Sequence, residues 1–121
     1  MDKPFLSVAP DAVEQRRIHA RRPLHCPAKL LLASKRIMDL RIVNISAGGL
    51  GVIAPENLAV GTNCQLRFDL PQVPTGQVTM YLSAMVMNSV FSSREDGFKL
   101  GLRFVNPTED SASRIERFVH G

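Results

Sequence analysis

The sequence predicts an all-β domain with a C-terminal helix: a six-stranded antiparallel β-barrel entered through a flexible, basic N-terminal leader. Three observations predict it. Apolar residues recur at every second position in a series of short runs, the mark of half-buried strands. Clusters of turn-forming residues separate those runs at short intervals. The period lengthens to that of a helix only after Asn106.

In order along the chain, residues 1–13 (MDKPFLSVAPDAV) have no periodicity and two prolines, and form a flexible arm. Residues 14–27 (EQRRIHARRPLHCP) are dense in charge and form an arginine-rich leader; Pro23 and Pro27 disfavour a helix running through it. The barrel is expected over residues 28–106. Leu30 and Leu32 point inward before a turn near Ser34-Lys35, and Met38, Leu40 and Ile42 form the next inward set. Cys64 to Leu70 alternates strictly. Residues 78–86 place Val78, Met80, Leu82, Ala84 and Val86 on one face, with Thr79, Tyr81 and Ser83 on the other. Residues 98–104 repeat the pattern with Phe98, Leu100, Leu102 and Phe104 inward. Turns fall at Ala47-Gly48-Gly49, Pro55-Glu56-Asn57, Pro71 to Gly76 and Ser92 to Gly97. Short connections between six such runs make a small antiparallel barrel or a sandwich. A helix is expected over 107–120: Asn106 serves as N-cap, Pro107 takes the first helical position, and Glu109 follows three after the cap. Ile115, Phe118 and Val119 then recur at helical spacing, with Arg114 and Arg117 facing elsewhere.

Composition narrows the function classes. The chain has 121 residues, 45% hydrophobic and 21% charged, which suits one globular domain. A domain of this size buries one core and leaves little room for an enclosed active site. The net charge of +4 is uneven. Residues 1–41 hold nine bases against four acids, a net of +5; residues 42–121 hold six against seven, a net of −1. The N-terminal third therefore favours an anionic partner. Cys26 and Cys64 stand 38 positions apart with no CxxC pair, so no metal site is expected and both thiols are read as small buried hydrophobes. Residues 1–20 contain no apolar stretch of signal-peptide type, and no segment reaches the roughly 18 apolar residues of a membrane span. The expected location is the cytoplasm. His19, His25 and His120 are scattered without ligand spacing. No Ser/His/Asp or paired-carboxylate arrangement can be drawn, so the chain is read as a binding protein and not an enzyme.

Two stretches carry chemistry. The first is Arg16-Arg17-Ile18-His19-Ala20-Arg21, with Gln15 before it and Arg22 after it. Guanidinium forks bind phosphate bidentately, stack on bases and reach guanine O6 and N7. The second is Asn44-Ile45-Ser46-Ala47-Gly48-Gly49-Leu50-Gly51, between two strand patterns. Asn44 and Ser46 are two apart, so an extended chain turns both to one face, where they offer an amide and a hydroxyl to a base edge. Gly48, Gly49 and Gly51 permit positive φ and close approach to the backbone. It is not a phosphate-cradling P-loop, because no Lys-Ser/Thr and no helix follow. Taken singly, each stretch also fits a solvated basic patch or a polar turn.

Together they resemble the PilZ family: RxxxR at Arg17 to Arg21, preceded by Arg16, then [D/N]xSxxG at Asn44, Ser46 and Gly49. Leu100-Gly101-Leu102-Arg103-Phe104 before the last helix is similar too. The resemblance makes residues 14–121 one PilZ-like domain. It implies a six-stranded barrel that binds the bacterial second messenger cyclic di-GMP on its outer surface, with no other cofactor. It assigns ligand binding to Arg16, Arg17, Arg21, Asn44, Ser46 and Gly49, with Gln15, Arg22 and Gly48 as further contacts. It implies a leader that wraps over the ligand, so that binding changes its conformation and signals through a partner protein. Some family members stack an aromatic residue from a later strand on guanine. Near Val86-Met87-Asn88 this chain has none, so weaker binding, or stacking by an arginine, is expected.

Two other readings compete. One is a PilZ-like protein-interaction module that binds no ligand. The other is a small basic barrel gripping single-stranded nucleic acid, which the scarcity of free aromatics (Phe5, Tyr81, Phe91) disfavours. Met80, Met85 and Met87 on the long strand are read as filler, although exposed apolar side chains on its second face would also suit a contact surface.

Overall fold

The computed structural model describes residues 20–72 and 74–121. Six antiparallel strands and one helix account for most of them: β1 (Arg21–Leu32), β2 (Ile37–Ser46), β3 (Gly49–Ala54), β4 (Asn63–Pro71), β5 (Gln77–Ser92), β6 (Gly97–Phe104) and α1 (Glu109–His120). Each strand pairs with two neighbours in the order β1-β2-β3-β6-β5-β4, and β4 pairs back to β1, so the sheet closes on itself. Closure gives every strand two neighbours and leaves a single interior to fill.

The alternation read from the sequence fills that interior. Leu30, Leu40, Ile42, Leu66, Leu70, Leu82, Val86 and Leu100 are all buried, and Met38, Phe68, Met80, Ala84, Leu102 and Phe104 join them. The helix completes the core with Ile115 and Phe118. It packs against β2 and β4 at the end of the ring where β1 begins and β4 ends. No helix among the described residues is long and apolar enough to cross a membrane.

Three boundaries differ from the expectation. The first strand begins at Arg21, not at 28, so half of the expected leader is strand. Pro23 and Pro27 are tolerated because β1 pairs with β4 only from Ala28 onward, which leaves residues 21–27 with one hydrogen-bonded neighbour. The fifth strand continues past 86 to Ser92 through a bulge at Met87, where a strict alternation loses its phase. The helix starts at Glu109, capped by Thr108, whose hydroxyl accepts the Ser111 N–H at 3.1 Å. Asn106 is instead left-handed at φ 48°, a conformation asparagine tolerates and a helix cap does not use.

Candidate ligand-binding face

The start of β1 pairs with the end of β2, and this register sets Arg21, the last residue of RxxxR, beside the NxSxxG segment. Arg21 stands opposite Ser46, Arg22 opposite Ile45 and Pro23 opposite Asn44. Arg21 points outward and donates from Nη1 to Oδ1 of Asn44 at 3.0 Å. Residues 23 apart in sequence thus meet on one patch of the outer wall. Other arginines of the described residues form ion pairs, among them Arg36 with Glu56, Arg41 with Glu95 and Arg114 with Asp110.

Asn44 reaches this face because of a bulge. Ile42 opposes Val52, Asn44 opposes Gly51, and Val43 between them is the extra residue that re-aims the strand. Ser46 behaves differently from expectation. It is only 7% exposed, and its Oγ accepts the N–H groups of Gly48 and Gly49, each at 3.2 Å. The hydroxyl is committed to its own turn and shapes the loop, a use of serine that competes with any contact to a base edge.

The glycines act by close approach and not by left-handed backbone: among the described residues, the glycines with positive φ are Gly61 and Gly76. A Cβ on Gly49 would sit 1.9 Å from the Leu102 carbonyl oxygen, so only glycine lets β3 come this near β6. Gly51 is bare for a second reason, since a Cβ there would meet the Asn44 amide at 2.9 Å.

Arg22, one residue after Arg21, faces the other way. Its Nη1 donates to the Phe118 carbonyl, and its guanidinium carbon lies 4.2 Å from the Phe118 ring centroid. A cation near the C-terminus of α1 complements the helix dipole. Arg22 is thereby a helix clamp, not a member of the outward cluster. Gln15, Arg16 and Arg17 lie outside the described residues, as do His19 and Phe5.

Sequence reasoning gave Gly51 a close approach and Gly101 and Arg103 a place in a resembling segment, but it missed that Gly51 is the floor under Asn44 and that Gly101, Arg103 and Asn88 stand across the sheet from it. Gly101 pairs with Gly51, and Arg103 pairs with Gly49 and extends toward Met85 Sδ. Only a register across four strands brings them together, and no local motif announces it.

Other features stand apart. Tyr81 is exposed on β5 and Phe91 ten residues further on, about 33 Å along an extended strand. Phe91 packs edge-on against Phe98, so the two aromatics do not form one stacking platform. Leu31, Ile37 and Tyr81 border a shallow depression with Lys29 and Arg67 on the β1–β4–β5 wall. Burial pushes the Cys64 thiol up to about 11. Half-buried Cys26 is raised by burial and then by the charge of Asp69.

The described residues thus form a closed antiparallel ring with Arg21, Asn44 and Gly51 together on its outer wall. The family model described as "PilZ domain" matches residues 15–121. The chain belongs to the PilZ family. Among curated proteins no match is found. Several solved structures are similar. The Bacillus subtilis inhibitor of motility MotI/DgrA aligns at TM-score 0.75 and 18% identity over 88% of this chain and 50% of that one. The PilZ domain of Escherichia coli YcgR, described with c-di-GMP, aligns at 0.67 and 19% over 88% and 90%. The c-di-GMP complex of Klebsiella pneumoniae MrkH aligns at 0.64 and 20% over 85% and 50%. The chain therefore spans half the length of MotI/DgrA and of MrkH. At these identities the likeness is one of fold.

Proposed function

We propose that this chain is a receptor for cyclic di-GMP and not an enzyme. The observation that carries the reading is the Arg21–Asn44 contact, in which the last arginine of RxxxR meets the asparagine of NxSxxG on the outer wall. Membership of the PilZ family and the solved relatives described with c-di-GMP support the choice of ligand. In this reading Arg21, with Arg16 and Arg17 ahead of it, takes phosphates and base faces, the work that planar guanidinium groups do best. Asn44 meets a guanine edge with its amide. Ser46 and Gly49 set the turn, and Gly48 offers backbone at its tip. Gln15 adds a polar contact from the leader.

The leader is also the element that signals. Contacts between its arginines and the ligand change the leader's conformation, and the surface so made is read by a partner protein in the cytoplasm. Thermal unfolding with and without ligand tests the receptor reading. Cyclic di-GMP raises the midpoint by several degrees at a concentration where GMP does nothing, as expected when only the native state binds. No shift at a hundredfold excess over the protein contradicts it. Partner capture by the full chain but not by residues 20–121, each with ligand, tests the signalling role.

A further inference from the structure

Asn44 has a counterpart across the sheet. One row of residues crosses the outer wall in register: Asn44 faces Gly51, Gly51 faces Gly101, and Gly101 faces Asn88. Because β3 and β6 are antiparallel, the midpoint of the Gly51–Gly101 pair is a local two-fold axis normal to the sheet. The flanking strands obey it. On β2, Ile42 faces Val52, Val43 is the extra residue of a bulge, and Asn44 faces Gly51. On β5, Val86 faces Leu102, Met87 is the extra residue of a bulge, and Asn88 faces Gly101. The paired segments even match in sequence, Ile-Val-Asn against Val-Met-Asn and Leu-Gly-Val against Leu-Gly-Leu.

The side chains follow the same symmetry. A Cβ on Gly51 would lie 2.9, 3.0 and 3.1 Å from Oδ1, Nδ2 and Cγ of Asn44. A Cβ on Gly101 would lie 2.7, 3.0 and 3.1 Å from Nδ2, Oδ1 and Cγ of Asn88. Near-equal distances to the three amide atoms mean that each amide turns its plane to the glycine beneath it. Two amides therefore rest flat on two adjacent glycines. Asn88 is exposed and Asn44 half-exposed, so each still presents amide edges to solvent. An amide carries a donor and an acceptor side by side, which suits a purine edge that offers the reverse pair.

A pseudo-two-fold surface fits a two-fold ligand. We infer that Asn88, with Gly101 beneath it, is a second base-recognition position equivalent to Asn44 over Gly51, and that the two asparagines read the two guanines of one cyclic di-GMP. The inference rests on the receptor reading above. The two asparagine Cα atoms are three strand spacings apart, about 14 Å, the scale of a two-base ligand and not of one base. The bulges at Val43 and Met87 gain a role here, since each turns its asparagine onto the outer wall.

Calorimetric titration with cyclic di-GMP and with the mixed cyclic GMP–AMP dinucleotide, which offers one guanine, tests it. Asn88→Ala weakens cyclic di-GMP by about tenfold, the loss of an amide's pair of hydrogen bonds. Gly101→Ala produces a similar loss by pushing aside the flexible amide, whose atoms are the nearest to the new methyl. The wild type prefers cyclic di-GMP to the mixed dinucleotide, and Asn88→Ala binds both alike. The inference is overturned if both variants bind cyclic di-GMP within twofold of the wild type. It is equally overturned if Asn88→Ala keeps the wild-type ratio between the two ligands. A wild type that binds neither ligand is a different result, which removes the receptor reading and this inference together.

Discussion

At the scale of single residues, the two glycines of β3 separate folding from binding. Alanine at Gly49 must push against the Leu102 carbonyl, a backbone atom 1.9 Å from the new methyl. The nearest atoms to an alanine methyl at Gly51 belong to the end of the Asn44 side chain. Gly49→Ala should therefore lose about 1–3 kcal/mol, the usual cost of overpacking, and thermal melts should show it. Gly51→Ala should melt within about 3 °C of the wild type, less than 1 kcal/mol, yet bind ligand more weakly, because it moves Asn44. Equal melting temperatures for the two would contradict this division. The thiols make a second residue-scale prediction. Both pKa values are raised above 9.0, Cys64 to about 11, so at pH 8 both hold their protons and react slowly with Ellman's reagent. In denaturant both react fast. The sign for stability follows: the folded chain keeps the Cys64 proton where the unfolded chain has lost it, so this thiol's contribution fades as pH rises from about 9 toward 11. Within the candidate site, Arg21, Asn44 and Gly49 could be singled out from the sequence because they fall in short motifs. The commitment of the Ser46 hydroxyl was not, since alternation gives a side chain's direction but not the backbone N–H groups that compete for it. Asn88 and Gly101 were illegible because each has meaning only across strands.

At the scale of elements, alternation placed strand interiors well and strand ends poorly. Leu66, Phe68 and Leu70 on β4 read directly as buried, since the run is unbroken. The bulges at Val43 and Met87 break the phase, and neither bulge has a residue signature of its own. The start of β1 was hidden by its prolines, which look like strand breakers until the missing neighbour on that side is known. The helix was legible as an element, but its cap was not: Asn106 takes a left-handed turn, and Thr108 caps the helix instead. Arg22 is the element-scale finding with a consequence: it ties the beginning of β1 to the end of α1 through Phe118. Arg22→Lys keeps the charge but loses the planar stacking and the fixed fork, and should cost about 1 kcal/mol, several degrees in the melt of a domain this size. Thr108→Ala should cost about 1 kcal/mol by uncapping the same helix. If Arg22→Lys melts like the wild type, the clamp is not what holds the helix end.

At the scale of the molecule, one strand start faces both ways. Arg21 looks outward to the proposed ligand while Arg22 looks inward to the helix, so a ligand that pulls on the leader acts at the point where ring and helix are joined. Two bases of the basic N-terminal third, Arg21 and Arg22, stand at this same place. Salt should therefore weaken ligand binding modestly, through a few phosphate contacts, and not with the steep dependence of polynucleotide binding. The most direct test of the central claim is titration calorimetry of the full chain with cyclic di-GMP, with GMP as control and Arg17→Ala and Arg21→Ala alongside. The account predicts saturable binding that GMP does not reproduce, with each substitution weakening it by at least about tenfold, the loss of charge-assisted hydrogen bonds. Absence of binding by the wild type, or binding that both arginine variants retain in full, would contradict it.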